Sequence, residues 1–114
     1  MPAVAAVTIV SPCVFCDSAD TRIDPLNGGL NGVLDMTSYR EYAKRSWIFR
    51  TVGYGHGADV WRTMVSDLRL VGYDGALSIE HEDGLMSGRE GFEKAVSFLR
   101  EIVIREPACA AHWA

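Results

Sequence analysis

Between Asp59 and Val103 the order of elements is tightly constrained: helix, turn, strand, helix. Val60, Trp61, Met64, Val65, Leu68 and Val71 recur at helical spacing behind Asp59, which can cap the first turn. Gly72 stands where a helix C-cap is expected, and "GYDG" supplies a turn. Ala76 to Ile79 then reads as a strand. Ser87 and Glu90 form an S-x-x-E capping box that opens a second helix. Its apolar stripe runs through Phe92, Ala95, Val96, Leu99, Ile102 and Val103, with Pro107 as the expected stop. Upstream, Val4 to Val10 predicts a short buried strand broken by Ser11-Pro12. "DTRIDPLNGGLNGVLD" (Asp20 to Asp35) reads as a long loop, and Thr37 to Arg45 as a short helix capped by Thr37 or Ser38. Strands alternating with helices imply an α/β fold with parallel strands and right-handed crossovers.

A chain of 114 residues is one domain by length, or a piece of a larger one. Its 48% apolar and 23% charged content is that of an ordinary globular chain. The net charge of −4 argues against nucleic acid as a partner, because phosphate contacts need clustered Lys and Arg. No apolar run approaches the ~18 residues that span a bilayer. The opening "MPAVAAVTIVSPC" lacks the basic stretch of a secretory signal. Three cysteines cannot all pair within the chain, so a reducing cytoplasm is the expected compartment.

The chemistry gathers in "ALSIEHED", residues Ala76 to Asp83. Leu77 and Ile79 head for a core, and then Glu80, His81, Glu82 and Asp83 follow one another. Adjacent like charges need a counter-ion, a partner or water. In parallel α/β folds the carboxyl ends of strands are where active sites lie, and this cluster falls at such an end. Along an extended chain Glu82 returns to the face of Glu80, whereas His81 alternates away. "GYGHG" places His56 among glycines that let a backbone approach a ligand closely.

From Asp20 to Glu106 the chain resembles the C-terminal part of the sugar phosphate isomerases/epimerases, the xylose isomerase-like TIM barrels. The stretches that carry this are "DTRID", "NGVLD", "RSWIFRTVGYGHG", the Trp61 helix, "GYDGALSIEHED" and "EGFEKAVSFL". The resemblance implies a partial (β/α)8 barrel spanning 1–114, its last two or so βα units, since a whole barrel takes about 250 residues. It implies metal-assisted proton transfer beside a carbonyl of a sugar or sugar phosphate. The family's final-strand glutamate matches Glu80, as metal ligand and base. Where the family has an H-x-K-D pattern this chain reads "DSAD", which puts Asp17 at the metal-binding histidine and Ala19 at the lysine. Hard oxygen ligands with one imidazole suit Mn²⁺, Mg²⁺, Co²⁺ or Zn²⁺. The remaining ligands of the family come from strands that this sequence lacks, so the expected state is a homo-oligomer or a domain completed by another chain.

Arg22 and Arg50 are candidates for holding a sugar hydroxyl or phosphate, because guanidinium pairs bidentately with such oxygens. His56 and Glu82 join them as candidate substrate contacts. Surface arginines and a solvated acidic strand end are the plain alternatives. Two further readings compete. One is a non-catalytic interaction module whose uncovered apolar helix stripes drive self-association. The other is a Cys₃His zinc module built from Cys13, Cys16, Cys109 and His112. The abasic-site endonuclease branch shares the barrel and metal logic, but the acidic balance ranks it low.

Overall fold

The computed structural model of the protein describes residues 15–111 and 113, the side chains of 15–17 apart. Its elements run β1 (Phe15–Ser18), β2 (Asp20–Ile23), α1 (Pro25–Asn31), a 3-10 turn (Tyr42–Lys44), β3 (Trp47–Arg50), α2 (Ala58–Leu70), β4 (Ala76–Ile79) and α3 (Gly88–Ile102). The strand expected over Val4 to Val10 lies outside the described residues.

The helices in the second half follow from local signals. α2 is capped at Gly57, two residues ahead of the expected cap, with Asp59 in its first turn and Arg69 in its last. It closes in a Schellman motif: Gly72, at φ 81°, donates to the Arg69 carbonyl (3.0 Å) and Tyr73 to that of Leu68 (2.9 Å). α3 starts at Ser87, whose hydroxyl accepts the Glu90 N–H at 3.1 Å. It stops at Ile102, five residues before Pro107, so proline does not set its end. Trp61 and Val65 from α2 meet Ala95, Leu99 and Ile102 from α3 over Leu77 of β4 and Val52 in one buried cluster, and Ile48 of β3 is buried as well.

The partial (β/α)8 barrel is not what forms. The described strands make two separate two-stranded sheets rather than an arc of neighbouring barrel strands. β2 and β3 pair antiparallel, Asp20 opposite Arg50 through Ile23 opposite Trp47. β1 lies beside β4 in a parallel register, Phe15 opposite Ala76 through Ser18 opposite Ile79. Successive barrel strands would pair with one another in one sheet; here β3 and β4 sit in different sheets.

The stretch expected to be a long loop, Asp20 to Asp35, instead holds β2 and α1, and its fold-back brings β3 antiparallel to β2. Asp24 caps α1 by accepting the Asn27 N–H (2.9 Å), and Pro25 occupies the first turn, where its missing N–H costs nothing. The chain then folds back and is pinned to itself by polar groups. Asp24 donates to the Ser46 carbonyl (2.8 Å), and Asn27 and Asn31 donate to the Ala43 and Lys44 carbonyls (2.9 and 2.8 Å). Asp35 accepts the N–H groups of Ser46 (2.7 Å) and Thr37 (2.8 Å), and the Thr37 side chain together with these two groups holds its carboxyl well below the ordinary range. The helix expected over Thr37 to Arg45 shrinks to the 3-10 turn. Arg45, almost wholly buried, stacks over Tyr39 and Trp47.

Leu99 is 0% exposed, and Leu34, on the folded-back arm, is 87% exposed. Leu99→Ala is therefore expected to cost about 3 kcal/mol or more in urea unfolding, while Leu34→Ala changes it by less than about 0.5 kcal/mol.

Candidate functional site

The segment Arg50–His56 leaves β3 and is gripped by two buried carboxylates. Asp20, the first residue of β2, has a side chain 1% exposed. Its Oδ2 accepts the N–H groups of Gly53 (3.0 Å), Gly55 (3.2 Å) and His56 (3.0 Å) and the indole N–H of Trp61 (3.1 Å). Its Oδ1 accepts the Thr21 N–H (2.9 Å) and faces His56 Nδ1 at 2.6 Å. Three backbone N–H groups can converge because the loop curls tightly at Gly53, where φ is 92°. Gly55 permits no side chain, since a Cβ there would lie 2.1 Å from the Thr21 carbonyl oxygen. Burial pushes the Asp20 carboxyl up, but the bonds from His56, Trp61 and Thr21 outweigh it and leave it below the usual carboxylate value.

Asp83, after β4, does the same from the other side. Its Oδ2 accepts from Arg50 Nε (3.0 Å), the Thr51 N–H (2.8 Å) and the Thr51 hydroxyl (3.0 Å), and its Oδ1 accepts from the Leu85 N–H (2.8 Å). Burial again raises this carboxyl, and those bonds with the Arg50 charge bring it below its ordinary value. The acidic run of "EHED" is thus divided. Asp83 is buried and fully used, whereas Glu80 and Glu82 are exposed.

The candidate residues scatter over this frame. Glu80 leaves β4 next to β1, its N–H donating to the Ser18 carbonyl at 3.0 Å. Asp17 stands in β1 opposite Ser78, so both residues belong to the same edge of the small sheet; the Asp17 side chain lies outside the described residues. Arg50 is turned inward to Asp83, with the Tyr54 ring centroid 5.8 Å from its guanidinium. Its role is therefore first that of a loop clamp. Arg22 is 56% exposed on the hairpin and 3.7 Å from Asp24, away from the other candidates. His81 turns to the Met86 carbonyl (3.2 Å) and packs against Gly91 of α3, where a Cβ would meet its ring at 2.3 Å. His56 joins Asp20 and lines a groove of about 580 Å³ that runs between the end of β1 and α2.

Among the described residues no three His, Cys, Asp or Glu side chains converge as a metal-binding group. Asp20 and Asp83, the best-placed carboxylates, spend their lone pairs on N–H and O–H donors, so the residues described do not by themselves make a cation site. Of the Cys₃His set, Cys109 is exposed and unpaired, while Cys13, the Cys16 side chain and His112 lie outside the described residues. No described helix is long and apolar enough to cross a membrane. Sequence reasoning passed over Asp20, Thr51 and Asp83. The available signal was a glycine-rich loop whose crowded N–H groups need an acceptor, with one aspartate opening β2 and another in the loop after β4.

No protein-family model matches the chain. A curated relative from Bacillus subtilis (strain 168), named "Uncharacterized protein YfiH", is 29% identical over 102 residues, covering 90% of this chain and 33% of the relative. The chain thus spans about a third of the length of the curated relative it matches.

Both buried carboxyls lie below the 3.8 of an unfolded aspartate. Their stabilising contribution is complete above that value and is lost as pH falls through their lower folded values. Unfolding free energy should therefore be level above about pH 5 and drop steeply on further acidification, followed by circular dichroism in urea. Asp83→Ala, which strands Arg50 and Thr51, is expected to cost on the order of 3 kcal/mol and to flatten part of that acid limb.

Proposed function

We propose that the chain supplies one wall of a sugar or sugar-phosphate site of isomerase or epimerase type, where a proton moves beside a carbonyl. The observation behind this reading is the shared edge of β1 and β4. Asp17 stands there in β1 opposite Ser78, and Glu80 follows β4 with its N–H on the Ser18 carbonyl, with Glu82 in the next loop. Glu80 is the base in this proposal, since it is the exposed carboxylate at the strand end. A divalent cation enters only with ligands added from beyond the described residues to Glu80 and Asp17. No step of the reaction is assigned to it.

The checking experiment incubates the chain with D-fructose 6-phosphate in D₂O, with and without Mg²⁺, and follows deuterium at the carbons flanking the carbonyl by NMR. Metal-dependent exchange is expected, falling at least about a hundredfold in Glu80→Gln, the lower end of what one acid–base group contributes. Absence of both exchange and metal-dependent thermal stabilisation would overturn the enzymatic reading.

A second reading, a self-associating module, draws on a different observation. The arm between β2 and β3 leaves Leu26, Leu30, Val33, Leu34 and Met36 between 75% and 95% exposed, a contiguous run of sequence that water covers poorly. Sedimentation equilibrium of the wild type against Leu34→Glu should then show association in the first and a monomer in the second.

A further inference from the structure

We propose that the groove beside α2 binds a polyhydroxylated small molecule through Nε2 of His56, with Asp20 as the residue that positions the ring. The choice of a sugar as ligand rests on the carbohydrate reading above; the orientation of the imidazole does not.

Asp20 is ionised and already accepts five N–H groups, so it has no proton to give to Nδ1. At 2.6 Å the contact therefore requires Nδ1 to carry the hydrogen, and in the Nδ1–H tautomer the acceptor is Nε2. That atom makes no hydrogen bond to another described residue. The side chain is 41% exposed and borders the groove. An oriented imidazole with its far nitrogen unspent is the arrangement that metal sites and acid–base catalysts build by backing a histidine with a carboxylate.

The groove suits the face of a sugar. Val60, Met64 and Val71 offer an apolar wall, each at least 40% exposed, for the C–H side of a ring. Ser18, Thr21 and Asp67 give polar edges for hydroxyls. A volume of about 580 Å³ falls within the span of small-molecule sites, which are mostly apolar with a few converging polar groups. A loop staple alone would not call for an imidazole, because Asp20 is held by other donors already.

The test uses the full chain labelled with ¹⁵N-histidine and D-fructose as the probe. In the free protein the long-range ¹H–¹⁵N spectrum should show His56 as the Nδ1–H tautomer, and fructose should shift Nε2 saturably. His56→Asn can still donate to Asp20 but has no atom at Nε2; it should melt as the wild type does and bind fructose about tenfold more weakly, the loss of one hydrogen bond. An unmoved Nε2 resonance overturns the proposal, as does His56→Asn binding fructose like the wild type. A concentration-dependent dimer that removes Nε2 from solvent, with no response to fructose, assigns the groove to protein contact and also overturns it. Saturable binding at Nε2 without deuterium exchange beside the carbonyl leaves this site standing and removes the isomerase reading instead.

Discussion

The carboxylate of Asp20, withdrawn from water, collects donors from four places in the chain: its own neighbour Thr21, the loop at Gly53 and Gly55, His56, and the indole of Trp61 in α2. A buried charge is costly unless its lone pairs are met, and here dipoles and one imidazole meet them. The consequence reaches well beyond one residue. The same bonds fix the curl of the glycine loop and the point where α2 begins, and they seat Trp61 against Phe98, with the two rings edge to face at 6.4 Å. Val52, beneath that loop, is thereby held in the core.

Asp83 repeats the device at the other strand end. Between them the two carboxylates hold Arg50–His56 as a rigid strip across the edge where β1 and β4 finish. Outside the clamps, Glu80 and Glu82 are exposed, and the proposed chemistry turns on them and on the far nitrogen of His56. The strength of the clamps is also what withdraws Asp20 and Asp83 themselves from service as bases or metal ligands.

The arm from Asp24 to Ser46 obeys a different rule. Its shape comes from asparagine and aspartate side chains that bond the backbone, while its leucines, valine and methionine face outward. Polar groups that bond backbone N–H and C=O locally can order a segment without a core of its own. The proposed self-association draws on that exposure.

Much of α2, β4 and α3 was legible in the sequence, because helix periodicity, the Ser87 cap and the Gly72 stop are written within a few residues of one another. α1 was missed for a reason that is also local: Asp24-Pro25 opens a helix, but the glycines and asparagines after it read as loop. Strand pairing and the fate of each carboxylate were beyond the sequence. Thr51 and Asp83 meet across 32 positions and His56 and Asp20 across 36. Nothing in "EHED" distinguishes the acid that will be buried from those that will stay wet. The sequence by itself determined where the chain turns helical or extended, since those preferences act over single turns. Only the tertiary structure decided which aspartate became an internal clamp and which strands lay side by side, since those choices depend on partners brought together from distant parts of the chain.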